Sequence, residues 1–395
     1  MSKTIIIIGA GLAGLSAALQ AAENGCNVKL VSSLPSERAQ SVMAEGGINA
    51  ALNTKDENDS PEEHFTDTIK AACGLADPNA VWGMTQAAPE LVHWLLKLGV
   101  KFNMSGYDDV DLRNFGGQKK KRTAFAQSDT GKQIMTAMID AVRRKEASGM
   151  VERFSHHSFL TLRLCGNICC GCVIRDEYSQ ETVELPGDAV IVATGGMHGL
   201  FGNTTGSLSN TGEVTAELFR LGVPLANGEM IQYHPTTVKC GGKRMLISEA
   251  ARGEGGRLFA MKDGKQWYFM EEKYPELGNL MPRDITAREI WKVSHESEVF
   301  LDMTEISEEI ISNKLSGLAD DCMTYLHKDI RKEPVSVLPG IHYFMGGILV
   351  DEQHRTPIQN LYAAGECCAQ YHGANRLGGN SLLGALYGGR VAAKS

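Results

Sequence analysis

Gly9, Gly11 and Gly14 form a G-x-G-x-x-G pattern near the start of the 395-residue chain. The first glycine of such a pattern permits a tight turn. The second lets a pyrophosphate approach the backbone, and the third lets a helix pack closely on a strand. Other residues have the types for acid–base or anion chemistry. Glu249 and Arg252 are three apart and would share one face of a helical turn. In general an arginine can grip a carboxylate through two parallel bonds, and a histidine can take up or release a proton near neutral pH. Singly, each also has a plain structural reading. His234 alone would be a satisfied core histidine. Arg283 beside Asp284 would be a helix start or an ion pair, and Glu249 with Arg252 a surface pair.

The fingerprint is informative because of the elements around it. Ile5 to Ile8 is a β-branched run of a buried parallel strand. Leu15 to Asn24 reads as a helix stopped by Gly25, and Val28 to Val31 as a second strand. This is a complete βαβ unit, with the helix N-terminus offered to phosphates. The acidic residue expected about 20 positions on is missing; Ser32 stands at the strand end, which leaves NAD and FAD both open. Two further strand ends favour FAD. Val190–Gly196 (VIVATGG) places bare backbone at Ala193, Thr194 and Gly195, and Leu361–Glu366 ends in Glu366, suited to a ribose or ribityl hydroxyl.

Farther along, residues 58 to 100 read as helical from the start signal Asp59-Ser60-Pro61, and Thr130 to Lys145 as another helix. Phe154 to Thr194 reads as a β-meander. Residues 235 to 342 mix short strands with helices around Arg283–Val293 and Ser307–Ile330, then come strands at Ile348–Asp351 and Leu361–Ala364 and a closing helix. The expected fold class is α/β, a Rossmann-like nucleotide-binding domain with a βαβ unit and a β-meander, interrupted by an inserted α+β domain.

Composition narrows the classes. The 43 glycines exceed the usual share of roughly 7%, and fit many close backbone approaches. A net charge of −8 excludes a basic nucleic-acid binder; the basic run Lys119 to Arg122 reads as a solvated loop. No stretch reaches the ~18 apolar residues of a spanning helix, and the N-terminus does not read as a signal peptide. A cytoplasmic chain with its ten cysteines mostly reduced is expected. Cys165, Cys169, Cys170 and Cys172 cluster, but no second C-x-x-C exists, so no metal site is expected. Gly166–Asn167 reads as a hairpin turn. Adjacent strand residues point to opposite faces, so Cys169 and Cys170 should not converge, and the cluster reads as structural. Cys367 and Cys368 read as packing residues.

Twelve segments in order carry a resemblance: GAGLAG, AEGGINAAL (Ala44–Leu52), NFGG (Asn114–Gly117), SDTG (Ser128–Gly131), VATGG, NTGE (Asn210–Glu213), QYHPT (Gln232–Thr236), SEAARGEGG (Ser248–Gly256), PRD (Pro282–Asp284), HYFMGG (His342–Gly347), AAGE and NRLGGNSL (Asn375–Leu382). On these the chain resembles the fumarate reductase, succinate dehydrogenase and L-aspartate oxidase flavoproteins, nearest in pattern to a fumarate reductase flavoprotein subunit. The resemblance implies an FAD-binding domain at 1–233 and 343–395, interrupted by a capping domain at 234–342. It implies FAD contacts from Gly9, Gly11, Gly14, Ser32, Gln40, Ser41, Glu45, Gly46, Gly47, Ala193, Thr194, Gly195, Glu213, Glu366, Asn380, Ser381 and Leu382.

It also implies a reaction. Fumarate is a planar dianion; reducing it needs hydride at one alkene carbon, from reduced flavin, and a proton at the other. By resemblance His234, His342 and Arg376 bind carboxylates, Ser248 keeps a hydroxyl where many members have threonine, and Arg283 is the proton donor. An arginine acid, with a pKa above ~12, must be recharged at once, and the implied path runs Glu249 to Arg252 to Arg283. Phe115 stands where L-aspartate oxidases carry glutamate, and an apolar ring cannot pair a substrate ammonium. Gln40 stands where membrane-complex members carry the histidine that bonds flavin. An amide is no such nucleophile, so FAD is expected to be non-covalent, which favours fumarate reduction to succinate over succinate oxidation.

Typical members continue beyond NSL with a helical domain and a C-terminal domain; this chain stops at Ser395. The expected partners are a small dicarboxylate and an iron–sulfur subunit or other electron donor, with attachment to the inner membrane face only through partners. Rival readings are an L-aspartate oxidase, a succinate dehydrogenase, and a non-catalytic or partner-dependent flavin-binding subunit. A larger enoate is a further alternative, with Tyr233, Phe344 and Met345 reshaping the pocket.

Overall fold

The computed structural model describes residues 2–106 and 108–395. The fold starts from the βαβ unit: β1 (Thr4–Ile8), α1 (Leu12–Glu23) and β2 (Asn27–Ser32). Its helix begins earlier than the apolar periodicity suggests, because Gly11 caps it from within the glycine turn. Two helices follow where one long helical stretch was expected, α2 (Pro61–Ala72) and α3 (Pro78–Leu98). Cys73 adopts a left-handed backbone at the end of α2, and Asp77 opens α3 by accepting from Asn79 N and Ala80 N. The start signal at Ser60 holds: its hydroxyl accepts from Glu63 N at 3.2 Å, with Pro61 at the first turn. Next come α4 (Thr130–Ala147), β3 (Val151–Ser155), β4 (His157–Cys165), β5 (Ile168–Asp176), β6 (Thr182–Pro186) and β7 (Ala189–Val192).

The meander is thus smaller than the sequence pattern suggests. Only β4, β5 and β6 form the antiparallel meander, whereas β3 and β7 join the parallel sheet. A strand from later in the chain, β8 (Leu361–Ala363), belongs to the same sheet, in which Ile5 pairs Ala189 and Val28 pairs Val151, both in parallel register. That later strand pairs Val190 to Leu361, completing five parallel strands with β1 near the middle. Their carboxyl ends at Ile8, Ser32, Val192 and Ala363 lie together, the edge where open α/β sheets bind ligands. One side of the sheet is covered by α1, α3, α4 and the closing helix Asn380–Lys394. That closing helix and α1 approach so closely that a Cβ on Gly389 would meet Ala13 O at 2.3 Å.

A second hydrophobic cluster draws on residues 238–337 together with Phe115. Here Ile231–Cys240 pairs antiparallel with both Lys243–Leu246 and Leu338–Phe344, and a separate four-stranded sheet packs nearby. Helix Arg283–Val293 appears as expected. The 307–330 stretch does not form one helix: Glu308–Lys314 and Ser316–Asp321 are followed by a π-helical turn at Cys322–Leu326. The basic run also needs correction. Arg122 is fully buried and pairs with Asp59 at 2.8 Å and Asp67 at 2.9 Å, so only its lysine neighbours belong to the surface.

Among the described residues, no helix is long and apolar enough to cross a membrane.

Candidate active site

A cavity of about 850 Å³ runs from the carboxyl ends of the parallel strands to the second cluster. At the strand end, Gly9 has φ +109°, and a Cβ there would meet Ala193 O at 2.2 Å. A Cβ on Gly11 would meet nothing nearer than 3.8 Å, so Gly11 presents open backbone to the cavity. Gly14 does not line the cavity. It lies on α1, where a Cβ would strike Gly9 O at 1.9 Å, the close helix–strand packing read from the third glycine. Ser41 Oγ accepts from Leu12 N at 3.3 Å, which fixes the 40–43 turn at the N-terminus of α1.

Several features fit a dinucleotide cofactor. Ser32 Oγ is buried with no partner at the cavity's edge, a hydroxyl left for a ribose. Gln40, Ser41, Glu45, Gly46, Gly47, Ala193, Thr194, Gly195, Glu213, Glu366, Ser381 and Leu382 all line the cavity. Glu366 is partly committed: its Oε1 accepts from Phe344 N at 3.0 Å and His198 Nε2 at 3.1 Å. Asn380 lies behind the wall. It is buried, with Oδ1 held by Asn49 Nδ2 at 2.8 Å and by His64 Nε2 at 2.9 Å, and so sets the loop that precedes Ser381.

The Glu45 loop is clamped by a residue that motif reading missed. Arg113 donates to Glu45 O at 3.0 Å, to Gln127 O at 3.2 Å and to Gly46 O, and its guanidinium lies 4.3 Å over the Phe125 ring. Burial, then the nearby Asp321 charge, pushes the Glu45 carboxyl up to about 8. Its Oε2 is sealed without a partner although the residue as a whole is half-buried.

At the far end, Phe115, His234, Ser248, Glu249, Arg283, His342 and Arg376 meet around the same cavity. Glu249 and Arg252 share a short helix, Glu249–Gly253, capped by Ser248 through Ala250 N. Arg283 opens its own helix and donates from Nε (2.8 Å) and Nη2 (2.7 Å) to Glu249 Oε2. The other carboxylate oxygen, Oε1, accepts from Gly116 N at 2.8 Å and lies 3.6 Å from Arg252 Nη2. The carboxylate therefore stands between the two arginines. This differs from the expected order, in which Arg252 came between. Arg252 does not line the cavity, and its Nη1 donates to Asn279 O at 2.6 Å.

Burial alone would push the Glu249 carboxyl up. The Arg283 and Arg252 charges, with the Arg283 and Gly116 bonds, outweigh it and hold the carboxyl below its usual range. His234 and His342 lie with ring centroids 5.0 Å apart. Burial, then the Arg283 charge, drives both well below the ordinary histidine range, so both are neutral. His234 Nδ1 is occupied by the Thr236 backbone, 3.1 Å from its O and 3.3 Å from its N, so Nε2 is the nitrogen left for a ligand. Thr205 Oγ1 sits 2.7 Å from His342 Nδ1. Phe115 is 1% exposed and wedged so tightly that a Cβ on Gly378 would touch its ring at 2.8 Å.

Gln232 belongs to QYHPT, and the motif alone gives it no role. Its Oε1 accepts from Arg283 Nη1 and from Arg376 Nη2, each at 3.0 Å. Strand alternation carried the signal: Gln232 and His234 face inward, while Tyr233 between them is 48% exposed. Tyr233 is thus outside the cavity, as are Phe344 and Met345. Tyr343 takes their expected place, lying 4.2 Å beneath the Arg376 guanidinium. Burial, then the Arg283 charge, lowers Arg376 to about 9.

An FAD binding domain family matches residues 4–382. The succinate dehydrogenase flavoprotein subunit of Bacillus subtilis is 45% identical over 99% of this chain and 68% of its own length. The L-aspartate oxidase of Streptomyces coelicolor is 34% identical over 100% of this chain and 68% of its own. A solved structure of E. coli quinol fumarate reductase superposes with a TM-score of 0.92 at 31% identity, over 100% of this chain and 69% of that one. The chain thus spans about two thirds of the length of these relatives. It belongs to the FAD-dependent oxidoreductase family of succinate dehydrogenase, fumarate reductase and L-aspartate oxidase flavoproteins.

Proposed function

We propose that this chain reduces fumarate, or a closely related unsaturated dicarboxylate, to the saturated product. One observation carries the reading. Arg252 and Arg283 flank one carboxylate, Glu249, and Arg376 meets Arg283 on Gln232, so three arginines against one carboxylate leave two net positive charges at and just behind the end of a cavity walled by Phe115. Two charges match a dicarboxylate dianion, and a phenyl wall offers no carboxylate to pair an ammonium group.

FAD, when bound and reduced, supplies the hydride. The residues of this chain do the rest. Arg376, His234 Nε2, His342 and Ser248 bind and orient the carboxylates. Donors aimed at the carboxylate that gains charge stabilise the transition state. Arg283 gives a proton to the second alkene carbon and is recharged by a proton that leaves Arg252 and crosses the Glu249 carboxylate, Arg252 being reprotonated from outside the cavity. This order follows the geometry, a carboxylate between two arginines, with Glu249 in contact with both. Gln40 lines the cavity with an amide and no nucleophile, so the cofactor is held without a covalent bond.

The same reading makes 1–233 and 343–395 the FAD-binding domain and 234–342 the cap that excludes water from the reacting carbons. Electrons come from an iron–sulfur subunit or another donor, with membrane contact through that partner. A second reading, succinate oxidation at the same site, is favoured by the 45% identity to a relative named succinate dehydrogenase. The Arg283→Ala variant tests the reaction: turnover should vanish while FAD stays bound, and retained turnover would remove Arg283 from the proposed role.

A further inference from the structure

β4 and β5 pair across the Gly166–Asn167 turn, with Cys165 opposite Ile168 and Leu164 opposite Cys169. The register then slips. Arg163 faces Gly171, which makes Cys170 the extra residue of a β-bulge. Alternation and the bulge together sort four thiols onto two faces. Cys169 and Cys172 both turn inward and are fully buried. Burial pushes the Cys172 thiol up to about 12, the behaviour of an inert packing residue. Cys165 and Cys170 emerge on the other side, where Cys165 is exposed and Cys170 half-buried. Their sulfurs stand 2.7 Å apart. Cys170 Sγ also lies 3.4 Å from Arg163 O.

We infer that Cys165 and Cys170 form a reversible dithiol–disulfide pair, a modification site oxidised by hydroperoxides. Cys165 is the sulfur that solvent reaches first. Cys165 gives up its proton and its sulfur attacks one peroxide oxygen, the O–O bond breaks, and the released hydroxide takes that proton and leaves as the first water, with Cys165 now a sulfenic acid. Cys170 then attacks the Cys165 sulfur, the S–O bond breaks, and the second water carries off the remaining thiol proton. In sum, two thiols and hydrogen peroxide give one disulfide and two waters, with two electrons passed from sulfur to oxygen. Neither cysteine lines the cofactor cavity, so the bond forms without entering the chemistry there. It closes the tip of a hairpin anchored by Asn167 Nδ2 on Pro357 O at 3.1 Å.

The test uses the reduced, desalted holoprotein and a modest excess of hydrogen peroxide. Thiols are titrated before and after treatment, and the tryptic peptide 164–175 is weighed without reduction. The expected result is loss of one pair of thiols, a peptide lighter by two hydrogens, and full reversal by dithiothreitol. Cys165→Ser and Cys170→Ser should each abolish the paired loss and leave fumarate turnover unchanged. An untouched thiol count in the unsubstituted protein, a paired loss that survives either substitution, or covalent dimers in place of the lighter peptide would overturn the inference.

Discussion

Arg283 Nη1 and Arg376 Nη2 end on one and the same oxygen, Gln232 Oε1, each at 3.0 Å. Two like charges are thereby held side by side by a neutral amide, and the amide nitrogen is fixed in turn on Asn375 Oδ1 and Arg376 O. Replacing the amide by a group of similar size without an acceptor, Gln232→Leu, leaves two buried charged donors short of a partner. The cost of a lost bond to a charged group is about 1.5–3 kcal/mol. We expect kcat/KM for fumarate to fall roughly 10- to 100-fold, with KM raised and FAD content unchanged. Steady-state kinetics beside the flavin-to-protein ratio checks this.

Glu249 accepts from Gly116 N and both binds and recharges Arg283 in the proposed relay. Glu249→Gln keeps the shape and the acceptor for Gly116 but cannot take up a proton and pass it on. Loss of a proton-transfer group typically costs about 10²–10⁴-fold in rate, so kcat should fall within that range while substrate binding changes little. An unchanged kcat would remove Glu249 from the relay.

His64 gives a pH-dependent stability with a definite sign. It is fully buried, and burial with the nearby Arg122 charge lowers it from 6.5 to about 3. Below the unfolded value of 6.5 the unfolded chain binds the proton and the folded chain does not. Its stabilisation is therefore fully present above pH 6.5 and is lost as pH falls toward 3, on the order of a few kcal/mol. Thermal melts across this window should decline more steeply for the unsubstituted protein than for His64→Gln. Equal slopes would contradict the assignment.

The flavin should leave on denaturation. Gln40 sits at the cavity with no group able to attack the flavin. After acid precipitation all yellow colour is expected in the supernatant and none in the pellet; flavin fluorescence retained by the denatured band on a gel would count against the non-covalent reading.

Much of the scaffold was legible because it rests on local rules. The βαβ unit, the glycine turn and helix Arg283–Val293 follow from periodicity and capping. The motifs also gathered Phe115, His234, Ser248, Glu249, Arg283, His342 and Arg376 at one cavity. What escaped depends on long-range contact. Gln232 and Arg113 matter through partners 51 or more residues away in sequence for the first and through backbone carbonyls for the second, which no motif displays. The burial of Arg122 depends on Asp59 and Asp67, acidic residues in a segment read only as a helix start. The order of the relay is a matter of side-chain reach, and spacing along a helix gives the shared face without the sequence of contacts.

The central claim is tested most directly by an anaerobic half-reaction. The purified flavoprotein is reduced stoichiometrically and mixed with fumarate, and the return of oxidised-flavin absorbance is followed. The account predicts rapid reoxidation by fumarate, slowed drastically by Arg283→Ala. A reduced flavin that stays reduced in fumarate, with FAD fully bound, would contradict it.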